Sequence, residues 1–487
     1  MTNRLKSVVL VISLITAIVI FSSVQLKLSY NNKLTCKLNI DDKTQDTPNI
    51  DTKNDSLFIA KIYSEALVKG KSYIILKELC KKIGARITGS AEAEMAIYWA
   101  EKVLKSYGFD KVYLQKIKVP HWERGTKEVA WAINSKSEIL KLDVLALGGS
   151  IGTNGILEGE LIEFNTLSDL KQANPKKVKN KIVFINQPFD QSLLQTFKAY
   201  GACYPIRGYG AVEASKKGAI AVIIRSLATP IDHYPHTGVM SYNDEVEKIP
   251  AAAISTSHSN QLSNWLKKGK VTLKIEMDCK MLNNIDSYNV IAEMTGNKDN
   301  NIITFGGHLD SWDVGEGAHD DGAGITHSIE ALRLLKVIGY RPNHTLRLVL
   351  FMNEENGNMG GKTYAKLCKE KGEKHICAIE SDRGGFLPIG FDIVGNDKQL
   401  AFIKSFKELL YIFQLYKFDK GYGGVDINPL REYYPNMLQL GMAISSQRYF
   451  NYHHTEADVF ETVNKRELEL GSAAMATMLY LVDKYID

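Results

Sequence analysis

From residue 289 onward, apolar runs of strand length alternate with amphipathic stretches of helix length, and this rhythm limits the fold more than any other feature of the chain. Residues 301–307 (NIITFGG) make the continuous apolar run typical of a strand buried on both faces. Ile325, Ile329, Leu332 and Leu335 then recur at helical spacing, and Gly339 supplies the stop. Residues 345–352 read as a second strand, 361–369 as a helix, 375–379 as a third strand and 465–486 as a closing helix. Alternation of this kind predicts an α/β fold, a doubly wound and mostly parallel sheet with helices on both faces.

Upstream the pattern differs. Residues 56–69, 72–83 and 91–107 show helical spacing, the last with Met95, Trp99 and Val103 on one face and Gly108 as its stop, and 111–119 alternate as a strand. From about Thr126 to Met281, short apolar runs bounded by Gly, Asn and Pro replace the helix–strand rhythm. A strand-rich insertion over 126–284 is therefore expected, dividing the α/β domain into 56–125 and 285–487.

The N-terminus carries a targeting signature. Arg4 and Lys6 precede an apolar run at 8–21, whose fourteen residues cover about 21 Å as a helix, short of a hydrocarbon core of roughly 30 Å. Residues 1–24 are expected to be a cleaved signal peptide, with an uncleaved signal anchor as the alternative, and 25–55 a polar linker. Entry into the secretory pathway would expose the six cysteines to oxidation, and buried free thiols are the competing expectation in a core this large. Asn54 and Asn343 match the glycosylation pattern. Sixty basic against 55 acidic residues leave a net charge of only +5, so no nucleic-acid partner is expected, and membrane contact only through a retained anchor.

In open α/β sheets the crevice lies beyond the carboxyl ends of the strands. Here the first strand runs into His308 and Asp310, the second into Glu354 and Glu355, and the third into Glu380 and Asp382. His319, Asp320 and Asp321 stand at a helix start, and His453 and His454 lie near the end of the chain. Imidazoles and carboxylates without thiolates suit zinc, and clustered acids need a cation to offset their repulsion and lost solvation. Taken singly, each has a plainer role as a helix cap, a solvated turn or a surface histidine.

The stretches GGHLDSWDVGEGAHDDGAG, RPNHTLRLVLFMNEE, ESDRGGF and YFNYHHTEAD together resemble the co-catalytic zinc exopeptidases of the aminopeptidase-like metallopeptidase family. ARITGS, GAVEASKKGA, HYPHTGV and KIPAAAIS extend the resemblance over nearly everything from about residue 56. It implies a peptidase domain with an inserted protease-associated-like domain and two zinc ions per chain. His308, Asp320, Glu355, Asp382 and His454 would be the metal ligands, with Asp320 bridging, and the family's His-Thr-x-x-Asp order selects His454 over His453. Glu354 would be the general base toward a zinc-bound hydroxide, and Asp310 the carboxylate that orients the His308 ring. The resemblance further implies cleavage of short peptides, unsubstituted dipeptides above all, as a carboxypeptidase or dipeptidase. It also implies a homodimer in the secretory pathway, lysosome or extracellular space. An aminopeptidase of the same mechanism is the alternative, and an inactive receptor-like ectodomain a more distant one.

Some positions depart from the family's pattern. Arg383 follows Asp382 where a small residue is expected, and the stretch at 441–449 is short. Tyr422, Gly423 and Asp426 are candidate pocket residues by analogy, against a surface turn. His233 and His236 have metal-pair spacing but are expected to be structural or solvent-facing.

Overall fold

The computed structural model describes residues 48–486. The apolar run at 8–21 with its expected signal or anchor, Cys36, and linker residues 25–47 lie outside the described residues. The first helix, Thr52–Lys69, begins ahead of the expected residue 56 because the Asp51 side chain accepts the Asn54 N–H and caps it. Asp55 in its first turn is fully buried and accepts the Tyr480 and Tyr485 hydroxyls at 2.5 and 2.6 Å, tying this helix to the end of the chain. The helices Ser72–Lys82 and Ala91–Ser106 follow.

The main sheet has eight strands in the spatial order Lys111–Glu123, Lys280–Met294, Thr345–Phe351, Asn301–His308, Lys374–Glu380, Leu438–Ile444, Pro388–Val394 and Lys417–Lys420. Its middle is parallel: Asn301–His308 pairs with Thr345–Phe351 and with Lys374–Glu380, which pairs with Leu438–Ile444. Alternate residues serve opposite faces. Val290, Phe305, Leu348 and Leu350 join one apolar cluster with the helices Ala323–Val337 and Lys465–Tyr485. Ile291, Val349, Phe351 and Ala378 join another with Tyr364 and Ala365 of the helix Met359–Glu370. Burial on both faces is why these strands read as continuous apolar runs, and it makes the sheet doubly wound as expected.

A second eight-stranded sheet lies entirely within 128–277, in the order Ile139–Leu142, Glu128–Asn134, Val271–Met277, Leu157–Phe164, Ile182–Ile185, Ala221–Arg225, Ala251–Ile254 and Val144–Ala146. It has its own apolar cluster, including Ala130, Phe184, Ile223 and Leu273, and Trp122 and Trp312 close that cluster toward the main sheet. The described cysteines, Cys80, Cys203, Cys279, Cys368 and Cys377, are buried free thiols. The Asn343 amide donates to the Asp483 carbonyl, whereas Asn54 is exposed. No helix among the described residues is long and apolar enough to cross a membrane.

Candidate active site

Parallel register brings the acid-bearing strand ends together. His308 lies opposite Phe351 and Gly306 opposite Glu380, so the segments that continue into Glu354, Glu355 and Asp382 leave the sheet side by side. Asp320 sits in the turn Ala318–Gly322 ahead of the helix Ala323–Val337, and His454 follows the short helix Ser446–Asn451. Asp321, without a role of its own in the expected site, joins the strand end to the helix start: its carboxylate accepts the His308 N–H at 3.2 Å and the Gly324 N–H at 2.9 Å. A Cβ at Gly307 or Gly324 would come within 2.2 Å of that carboxylate, so both positions exclude a side chain. The Asp-Asp doublet was the sequence signal for it.

The Asp320 carboxylate lies between two imidazoles. Its Oδ1 is 3.2 Å from His308 Nε2 and its Oδ2 is 3.2 Å from His454 Nε2. On the first side Asp382 Oδ1 approaches His308 Nε2 at 3.5 Å, and on the other Glu355 Oε2 approaches His454 Nε2 at 3.1 Å. His453 Nε2 stands farther from Asp320, at 3.7 Å, with its ring stacked on His454. All five expected ligands thus converge, and Glu354 lines the same cavity outside both groups. The donor set fits divalent cations. Asp382 Oδ1 and Glu355 Oε1 are buried without a hydrogen-bond donor, an arrangement costly for carboxylates unless a cation satisfies them.

Surrounding groups orient these donors. His308 Nδ1 donates to the main-chain oxygen of Asp310 at 2.9 Å, which leaves Nε2 as the lone-pair atom facing Asp320. The expected role of the Asp310 carboxylate is corrected by this geometry, because its nearer oxygen stays 3.9 Å from the ring. Its Oδ1 instead accepts the N–H groups of Asn353 at 2.7 Å and Glu354 at 3.2 Å, and its Oδ2 accepts the Thr88 hydroxyl at 2.9 Å. The reason is local: the chain turns sharply after the second strand, with Asn353 at φ 77°, and its freed N–H groups need an acceptor. Asp310 therefore holds the Glu354–Glu355 turn.

His454 also has left-handed backbone, at φ 62°, a conformation costing a non-glycine residue roughly 1–3 kcal/mol. Residues of the second-sheet region hold it. Thr237 N–H donates to the His454 carbonyl at 3.0 Å, and the Thr237 carbonyl lies 3.2 Å from His454 Nδ1. His236, buried and not solvent-facing, directs Nδ1 to the His453 carbonyl at 2.6 Å. His233 diverges to meet Asp143 at 2.7 Å, so the two do not form a pair. Asp458 accepts the N–H groups of His319 and Asp320 at 2.7 and 3.0 Å. Arg86 donates to the carbonyls of Leu309, Glu316 and Gly317, bracing the loop between His308 and Asp320.

A cavity of about 1160 Å³ opens over the acids. Tyr422 and Gly423 line it, whereas Asp426 is fully buried with neither carboxylate oxygen hydrogen-bonded. Arg383 also lines the cavity and directs Nη1 to the Asp392 carboxylate. Helix Thr196–Ser215 contributes Phe197, Tyr200, Tyr204 and Arg207 to the opposite wall.

The electrostatics follow from so many buried acids. Burial, then the Asp382 and Glu355 charges, push the Glu354 carboxyl well above its usual range, against the pull of His308. Burial and Asp320 raise Glu355 to about 7. Burial opposes charge on both imidazoles, yet Glu355 and Asp320 raise His454 to about 9, and Asp320 and Asp382 push His308 well above its usual value. Burial also works against ionised Asp320, but the imidazoles hold its carboxyl well below the usual range. Carboxylates that attract protons onto two imidazoles would equally hold divalent cations in the protons' place.

Doubly wound sheet, strand-end acids and paired histidines define a metallopeptidase of the α/β class. Residues 289–479 match the model of Peptidase family M28. Carboxypeptidase Q from Bos taurus is 35% identical over 436 residues, 88% of this chain and 88% of the bovine protein. The crystal structure of a Peptidase M28 precursor from Shewanella amazonensis SB2B superposes with a TM-score of 0.84 at 33% identity, covering 89% of this chain and 97% of that one. BSAP, a zinc aminopeptidase from Bacillus subtilis, shares the fold with a TM-score of 0.61 at 20% identity, over 85% of this chain and 97% of its own. The chain belongs to peptidase family M28.

Proposed function

We propose that the protein is a dinuclear zinc exopeptidase that cleaves unsubstituted dipeptides, with carboxypeptidase preference. The observation that carries this is the Asp320 carboxylate shared between His308 and His454 at 3.2 Å each, with one further acid on either side. His308 and Asp382 would hold one ion, Glu355 and His454 the other, and Asp320 both. Such ions supply Lewis acidity toward the scissile carbonyl and lower the pKa of the attacking water from about 15.7 toward 7.

The chain's own groups then move the proton. Glu354, which belongs to neither ligand group, accepts a proton as the water oxygen bonds to the carbonyl carbon. It returns that proton to the amine nitrogen as the C–N bond breaks. Asp310 keeps Glu354 in reach through the backbone N–H groups of the turn. The walls from the second-sheet region, taken as the expected 126–284 insertion, would shield the reacting atoms from bulk water.

Identity to carboxypeptidase Q supports the carboxypeptidase preference, and the fold likeness to an aminopeptidase keeps that activity as the second reading. The assembled donors favour an active enzyme over an inactive receptor-like ectodomain. A homodimer in the secretory pathway, lysosome or extracellular space completes the proposal. Metal analysis is expected to find two zinc ions per chain, and one would overturn the dinuclear assignment. The holoenzyme is expected to cleave unsubstituted dipeptides faster than N-blocked or C-blocked ones. Strong cleavage of C-blocked but not N-blocked dipeptides would make it an aminopeptidase.

A further inference from the structure

Arg383, Lys417 and Asp392 line the same cavity as Asp320, Glu354 and Asp382, yet peptide cleavage as proposed makes no use of them. Asp392 is buried and pairs with both cations: Arg383 Nη1 reaches its Oδ2 at 2.5 Å, and Lys417 Nζ contacts its Oδ1. Two cations against one carboxylate leave the trio with one unit of positive charge. The guanidinium is held rigidly, since Nη2 donates to the Tyr422 carbonyl at 2.9 Å and the group lies over the Phe197 ring, 5.5 Å from its centroid. It is nevertheless open to the cavity, with 15% of the side chain exposed. A fixed, partly open guanidinium with surplus charge is suited to a carboxylate.

Location adds direction. Arg383 directly follows Asp382, which faces His308 across the acid cluster. Arg383 and Lys417 line one cavity with Glu354 and Asp382, so a carboxylate bound there belongs to a substrate whose scissile bond lies over the acids. Within that cavity Arg383 and Lys417 are paired cations on the wall that carries Tyr422, and this wall is where a substrate's negative end would settle.

Resting on the peptidase reading, we propose that Arg383, assisted by Lys417, binds a substrate carboxylate and thereby determines specificity. That carboxylate is either the peptide's C-terminus or an acidic side chain beside the scissile bond. The test is steady-state kinetics of the zinc-loaded full chain on Ala-Ala, Ala-Ala amide and Ala-Glu amide, comparing wild type with Arg383→Gln and Lys417→Met. Arg383→Gln is expected to raise KM for the carboxylate-bearing substrate about tenfold or more while leaving kcat nearly unchanged, with Ala-Ala amide unaffected. A shift confined to Ala-Ala identifies the C-terminus, and one confined to Ala-Glu amide identifies the side chain. Unchanged KM for all three substrates in both variants overturns the proposal. Lys417→Met gives the same readout should Arg383→Gln fail to fold.

Calorimetric titration with alanine, alaninamide and glutamic acid α-amide reads the subsite without turnover. Preference for alanine or glutamic acid α-amide over alaninamide that Arg383→Gln abolishes supports the subsite even if wild type cleaves no peptide, which would sink only the peptidase reading. Equal binding of alanine, alaninamide and glutamic acid α-amide by wild type overturns the carboxylate subsite while leaving peptide hydrolysis untouched.

Discussion

Substituting His236 tests whether the second sheet holds the last histidine in place. The ring is 1% exposed, and its Nδ1 donates to the His453 carbonyl at 2.6 Å, one residue before the proposed ligand His454. Burial depresses its pKa to about 3, despite the hydrogen bond to His453. The folded imidazole therefore stays neutral while the unfolded one takes a proton below its ordinary value of about 6.5. The folded state binds fewer protons, so this group's contribution to stability is lost as pH falls from about 6.5 toward about 3. Between about pH 7 and about pH 5.5 the loss is about 1.2 kcal/mol, from a tenfold excess of protonated unfolded imidazole at the lower pH. His236→Asn places an amide donor where Nδ1 was and does not titrate. Urea unfolding at both pH values should show its stability gap from wild type narrowing by about 1.2 kcal/mol at the lower pH. His236→Leu removes the donor, leaves the His453 carbonyl unsatisfied at a cost of about 1–3 kcal/mol, and should weaken zinc binding about tenfold in chelator competition. A gap that does not change with pH, together with unaltered zinc affinity in the Leu variant, would refute the reasoning.

Glu354→Gln should lower kcat at least about 10²-fold with zinc content unchanged, and retained turnover would remove Glu354 as the base. Asp310→Asn replaces an acceptor that serves four donors with a group that can accept at only one end. A fall in kcat of about 10- to 100-fold is expected, with KM nearly constant, and unaltered kinetics would show that the Glu354–Glu355 turn holds itself. The five described thiols are buried, and burial raises Cys203 and Cys279 to about 11 and Cys80 and Cys368 to about 12. A thiol reagent should therefore modify at most Cys36 in the native chain, and more than one reactive thiol would contradict that burial.

The expected strands at 301–307, 345–352 and 375–379 match those observed to within a residue or two, because burial on both faces leaves an unbroken apolar run that local sequence displays. The strands Pro388–Val394, Lys417–Lys420 and Leu438–Ile444 escaped notice. They are separated by irregular segments and short helices that break the rhythm. The candidate ligands were legible because their residue types are conspicuous at strand ends. Asp321 stood beside Asp320 in plain view, but an aspartate that accepts two backbone N–H groups carries no spacing of its own.

By itself, then, the sequence determined the α/β class, the acids at each strand's end and the donor chemistry, since periodicity and residue type are properties of neighbouring positions. Contacts between residues hundreds of positions apart leave no such trace. Only the tertiary structure decided that His454 approaches Asp320 more closely than His453 and that the Asp310 carboxylate serves the Glu354 turn instead of the His308 ring. It likewise turned Arg383 toward Asp392 and joined His236 and Thr237 to the two histidines some 217 residues away. Side-chain direction follows from which donors and acceptors the folded chain leaves unpaired, and that balance exists only once the strands have come together.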